Sequence, residues 1–202
     1  MSEIIARYVL GSYQIGQVLY FALLNSAFSF GDFMHDNNAT KTIFSNAIDR
    51  RVDEIKRISL DILNHPESGY REYRTSKLVA DWFRTNGFHV QTDVAKTGVI
   101  ATLKTDKPGP HVVVMGELDA LLVPEHLYAD RETGAAHACG HHCQIAMMLA
   151  VASGLLADGV LDQLSGRIAL MAVPAEEYIE VEYRDELRRA GKLEFIGGKP
   201  EF

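Results

Sequence analysis

Cys139 and His141 stand two residues apart with Gly140 between them, and Glu176 and Glu177 are adjacent. A divalent ion such as zinc accepts thiolate, imidazole and carboxylate ligands. In a turn entering a helix, the spacing of Cys139 and His141 lets both side chains face one ion, and the glycine frees the backbone. The start of a helix also favours the thiolate form of Cys139. Glu177 could supply a carboxylate ligand. Glu176 beside it could stay unligated and act as general base toward a water that the metal makes acidic. Asp119 suits a supporting role, accepting the ring N–H of a ligand histidine. Each residue alone also has an ordinary reading. Paired glutamates are usually solvated, and an aspartate often sits in a turn or cap. His137 reads as a loop residue, His142 and Gln144 as the polar face of a helix, and Cys143 as a small buried hydrophobe. The functional reading rests on their joint placement.

That placement comes from the elements around them. Val112 to Met115 reads as a strand buried on both faces, 142–156 as an apolar helix, and 167–173 as a second apolar strand. This is a βαβ pattern, so the two strands are expected to be parallel. Ligands of parallel α/β sheets bind beyond the carboxyl ends of the strands. Here those ends lead into Glu117 and Asp119, and into Glu176 and Glu177, while the helix starts just after Cys139 and His141. Upstream, apolar residues at helical spacing predict a helix from Thr40 or Thr42 to about Leu63 and another over 72–86. Alternation predicts strands over 88–94 and 98–103. A long loop is expected over 117–140 and a last helix over 180–190.

The chain has 202 residues, a net charge of −7 and 47% hydrophobic residues. No basic face dominates, which argues against a nucleic-acid partner. Cys139 and Cys143 are the only cysteines, and they point to a reducing, cytoplasmic compartment rather than a disulfide scaffold. Residues 1–33 read as a hydrophobic N-terminal extension. Tyr8 to Gly31 carries no charge and is long enough to span a bilayer, but its serines, glutamines and asparagine argue against a membrane anchor or a secretory signal. The folded domain is expected over 34–202.

The motif His137-Ala138-Cys139-Gly140-His141, followed by an apolar helix, a strand and Pro174-Ala175-Glu176-Glu177, resembles the M20 metallopeptidase family. The amidohydrolase branch, aminoacylase-like and hippurate hydrolase-like, is the nearest in pattern. Gly116-Glu117-Leu118-Asp119-Ala120-Leu121 and His65-Pro66-Glu67-Ser68-Gly69 resemble two further segments of that family, and the likeness covers about residues 50 to 180. The resemblance implies an α/β, zinc-peptidase-like three-layer domain with a mixed, largely parallel sheet, incomplete at its C-terminus, of which 34–202 is the N-terminal part. It implies Cys139, His141 and Glu177 as metal ligands, with zinc or manganese as the metal, and Glu176 and Asp119 as the catalytic pair. It implies a small N-acyl amino acid or dipeptide-like substrate, and a homodimer in the full-length family form. His142 and Gln144 depart from the branch's usual aspartate and histidine, and Glu117 departs from its acidic motif. Family members continue well beyond this length, and no histidine follows His142. The expected activity of this chain alone is therefore low or absent. Two alternatives remain: a non-catalytic fragment or interaction module, and a hydrolase using Cys139 as nucleophile.

Overall fold

A computed structural model describes residues 37–202. The N-terminal extension and the proposed domain start at residue 34 lie outside the described residues. Among the described residues, no helix is long and apolar enough to cross a membrane.

Helix α1 (Asn37–Asn64) presents Ala47, Ile55 and Ile62 to the core, with Ile48 and Ile58 partly buried beside them. It starts some three residues before the threonines and ends before Pro66, whose ring disfavours helix at the preceding residue. Helix α2 (Tyr73–Thr85) buries Val79, Ala80, Trp82 and Phe83. Glu67 satisfies its first turn, accepting the backbone N–H groups of Arg74 and Thr75 at 3.0 and 2.8 Å. Gly87 follows at φ +81°, a left-handed stop.

Strands β1 (His89–Val94) and β2 (Gly98–Lys104) form an antiparallel hairpin. Strand β3 (His111–Glu117) precedes two short strands, β4 (Leu121–Leu122) and β5 (Ala135–Ala136), which pair within the long loop. Among the described residues, helix α3 (His141–Leu155), strand β6 (Arg167–Val173) and helix α4 (Val181–Arg189) complete the regular structure apart from two short 3₁₀ turns. The main sheet has the order β1-β2-β6-β3. β3 and β6 are parallel, in register from His111 opposite Arg167 to Glu117 opposite Val173. α3 is the crossover between them, as the sequence pattern predicts.

The sheet is mixed, but only one of its three pairings is parallel. The β1–β2 pairing is antiparallel because a short turn joins the two strands, and β2 also runs antiparallel to β6. The apolar run of β3 does not make it buried on both faces. β3 lies at the sheet edge, and Val113 and Met115 are 38% and 53% exposed. Helices α1, α2 and α3 share one hydrophobic cluster with Val99, Ala101, Ile168, Leu170 and Ala172. Those strand residues all point to one side, so the described residues supply helices to that face, while Val113 and Met115 on the other face are left exposed. α3 packs between α1 and β3 and is buried around most of its surface, as expected of a helix that is apolar all round. Gly154 permits the approach to α1: a Cβ there would come within 2.5 Å of the Phe44 ring.

Candidate metal centre

Three chain segments meet where β3 and β6 end. After Glu117, Leu118 donates its N–H to the Val173 carbonyl at 2.9 Å, extending the parallel ladder by one residue. Asp119 therefore leaves the sheet beside the end of β6. β6 stops at Pro174, and Ala175 turns the chain in the left-handed region at φ +49°, presenting Glu176 and Glu177. Gly140, at φ +89°, caps α3 and starts it at His141.

His141 is the hub. It is 3% exposed, and Asp119 beside it is 1% exposed. The ring Nδ1 lies 2.8 Å from the Asp119 carbonyl oxygen and 3.3 Å from Asp119 Oδ1. The shorter contact makes the carbonyl the acceptor of the Nδ1 proton, an assignment from geometry. Nε2 then points at the acidic groups: 2.9 Å to Glu117 Oε2, 3.7 Å to Glu177 Oε1 and 3.9 Å to Glu176 Oε2. Burial by itself would lower the pKa of His141. Its bonds to Asp119 and the charges of Asp119 and Glu117 outweigh burial and raise it to about 9. Asp119 also accepts the Glu177 backbone N–H through Oδ2 at 2.9 Å. One residue thus fixes both sides of the site, His141 through its backbone carbonyl and Glu177 through its carboxylate.

Two donor sets form around His141. The Cys139 thiol, the His141 ring and the Glu177 carboxylate offer ligand atoms that all lie within 4.8 Å of one another, and so do those of Glu117, His141 and Glu176. Donors at about 2.0–2.3 Å from a tetrahedral ion lie roughly 3.3–3.8 Å apart, so small side-chain rotations close either set. A buried ring oriented through Nδ1, with Nε2 turned toward acidic groups, is the arrangement expected of a metal-ligating histidine once a cation displaces the Nε2 proton. The mixed sulfur, nitrogen and oxygen donors suit a divalent cation. The structure thus brings all five sequence-derived residues, Cys139, His141, Glu177, Glu176 and Asp119, to one rim.

The protonation of Cys139 differs from the expectation. Its thiol bonds Glu177, and this contact, with burial and the charges of Glu177, Glu176 and Asp119, pushes it up to about 11. The crowd of carboxylates outweighs the helix start, and a cation is what would offset it. A nucleophilic Cys139 finds no support in such surroundings.

Several partners escape a reading by motif. Gln144 is not a solvated helix residue: its amide donates to Glu117 Oε2 at 2.9 Å and its carbonyl accepts the Glu117 N–H at 3.2 Å. His142 and His137 are buried, with rings 5.5 Å apart. Burial, with the neighbouring His142 and His141, pushes His137 down to about 3, so it is neutral. Glu72 is fully buried and accepts the Thr97 hydroxyl at 2.6 Å and the Ala175 N–H at 2.8 Å. Buried Arg184 donates to the Ala175 carbonyl at 3.1 Å. Together they hold the left-handed Ala175 from both sides. Gly69 leaves the room: a Cβ there would lie 2.3 Å from Arg184 Nη2 and 2.9 Å from Ala175 Cα. The Pro66-Glu67-Ser68-Gly69 segment thereby supports the site from outside it. An open cavity of about 580 Å³ lined by Lys104, Lys107, His111 and Arg167 lies at the opposite end of β6, far from this chemistry.

No family model matches the chain. The fold is a mixed α/β domain, and known hydrolases are similar to the chain. Thermostable carboxypeptidase 1 of Saccharolobus solfataricus is 39% identical over 129 residues, 62% of this chain and 32% of that protein. The N-acetyl-L-cysteine deacetylase of Bacillus subtilis is 32% identical over 116 residues, 56% of this chain and 27% of that protein. The crystal structure of Bacillus subtilis YXEP, described as a dinuclear metal-binding peptidase of the M20 family, aligns with a TM-score of 0.52 and 25% identity, over 69% of this chain and 39% of that one. The likeness to the M20 family read from the sequence is thus met in curated hydrolases and in a solved M20 structure. The chain spans about a third of the length of the curated relatives it matches.

Proposed function

We propose that residues 34–202 are the N-terminal part of the catalytic domain of a zinc-dependent hydrolase of small amide bonds, acting on N-acyl amino acids or dipeptide-like substrates. The observation that carries this reading is the convergence of Cys139 and His141 from one segment and Glu177 from another within 4.8 Å, around a buried ring. The names of the relatives, a carboxypeptidase and an N-acyl-cysteine deacetylase, support the amide class. Two unpaired cysteines, Cys139 and Cys143, support a reducing, cytoplasmic setting.

Cys139, His141 and Glu177 would hold the ion, which would act as a Lewis acid and make a water acidic near neutral pH. Asp119 keeps the His141 ring and the Glu177 backbone aligned through its two ends. Glu176, partly exposed beside them, takes a proton from the attacking water at a carboxylate oxygen and delivers it to the departing amine. Gln144 fixes Glu117 next to that base.

The test is metal analysis of the purified chain followed by release of free amino acid from an N-acetyl amino acid. The chain is expected to retain zinc and, spanning a third of its relatives, to turn over slowly at best. Any turnover should fall by about 10²–10⁴-fold in Glu176→Gln, with zinc content unchanged. A chain that stays metal-free in excess zinc overturns the reading.

A further inference from the structure

The two donor sets around His141 share a single atom. Nδ1 is committed to the Asp119 carbonyl, so only Nε2 can serve as a ligand atom, and one nitrogen serves one ion. With an ion on Cys139, His141 and Glu177, the carboxylates of Glu117 and Glu176 would face each other without the histidine.

A cation of the chain itself already stands between them. Lys199 Nζ lies 2.6 Å from Glu117 Oε1 and 2.9 Å from Glu176 Oε1. The other oxygen of each carboxylate faces His141 Nε2. Each acid is therefore bridged on one side by the ammonium and on the other by the ring.

The fold delivers this lysine. Gly198 donates its N–H to the Ala175 carbonyl at 3.2 Å, and a Cβ at 198 would stand 1.7 Å from the Pro174 oxygen. The Ile196 carbonyl accepts from buried Arg184 at 3.3 Å. Beyond the lysine, the Phe202 ring covers Gly98, where a Cβ would come within 2.6 Å of it. Segment 196–202 is thus pinned on both sides of Lys199, directly over the left-handed turn that carries Glu176.

We propose that Lys199 is the built-in counter-cation of Glu117 and Glu176, so that this chain takes one divalent ion at Cys139, His141 and Glu177 and is closed to a second. An ammonium is a compact point charge of fixed valence that needs no loading from solution. This rests on the metal-centre reading above.

The test is zinc titration by calorimetry, with ion content after dialysis, on the 202-residue chain, Lys199→Met and Lys199→Arg. The wild type and Lys199→Arg are expected to bind one zinc per chain. Lys199→Met frees two facing carboxylates and should show a second binding event, at least tenfold tighter than any seen in the wild type. Gly198→Val, which keeps the ammonium but displaces its segment, should show the same gain. Circular dichroism checks that each variant is folded. One ion of equal affinity in wild type and Lys199→Met overturns the proposal and leaves the metal centre standing. No ion in either chain overturns both.

Discussion

His141 does two things with one ring: Nδ1 anchors it to the loop after β3, and Nε2 faces the acids. The anchoring partner matters because a carboxylate or carbonyl on the far nitrogen fixes both tautomer and direction. Asp119 adds a second anchor, since its Oδ2 holds the Glu177 backbone. Asp119→Ala keeps the carbonyl contact to His141 but releases Glu177. Zinc affinity measured by competition with a chelator should fall about 10–100-fold, the usual cost of removing such a support, and Asp119→Asn should fall less because its side-chain oxygen still accepts the Glu177 N–H. At this scale Cys139, His141, Asp119, Glu176 and Glu177 are legible from type and spacing. Lys199 and Glu72 are not. Their roles depend on residues 23 to 103 positions away, and neither stands in a motif whose chemistry calls for it.

The βαβ unit is the element on which the site is built, and its working parts are the ends rather than the middle. Gly140 is the hinge point between Cys139 and α3. Its φ of +89° is left-handed, yet a Cβ there would meet nothing within 4 Å. Gly140→Ala therefore adds strain without a clash. It should cost about 1–2 kcal/mol of stability, read from urea denaturation, and a loss well above that would reveal a steric role the structure does not contain. The helix α3 is legible because an apolar run of this length with no proline has few alternatives. The burial of β3 is not. An apolar run of four residues reads as a strand covered on both faces, but coverage depends on which strands flank it. β3 sits at the edge, so Val113 and Met115 face outward. The hairpin over 89–104 likewise sets the antiparallel share of the sheet, which the βαβ pattern alone does not reveal.

The whole molecule buries an acid beneath its site, and its stability should show it. Burial pushes the Glu72 carboxyl up from 4.5 to about 7, against the lowering pull of the bonds from Thr97 and Ala175. A group whose folded pKa is raised binds more protons in the folded than in the unfolded state across the interval between the two values. Folding is therefore favoured by Glu72 below about pH 4.5, and that contribution is lost as pH rises through about 7. The full loss is on the order of 3 kcal/mol. Glu72→Gln removes the titration and can keep both contacts, with its oxygen accepting the Ala175 N–H and its amide donating to the Thr97 hydroxyl. Thermal melts at pH 5 and pH 8 should show the wild type losing more stability between the two than Glu72→Gln. Equal losses would mean that Glu72 titrates at its ordinary value.

The sequence alone determined the donor types, their spacing and the βαβ order, because each follows from local chemistry: ligand preference, a glycine before a helix, apolar periodicity. It also carried the family resemblance through short contiguous motifs. Only the tertiary structure decided which acid faces which. Glu117 joins His141 because β3 ends beside the start of α3, where Gln144 also holds the Glu117 carboxylate and backbone. Ala175 is held in its strained turn because Glu72 from the start of α2 and Arg184 from α4 reach it from opposite sides. Lys199 meets Glu117 and Glu176 because two glycines let the chain pass close over Pro174 and Tyr178. These are contacts between residues far apart in sequence, and no local preference encodes them; they exist only once the sheet has brought its strand ends to a common rim.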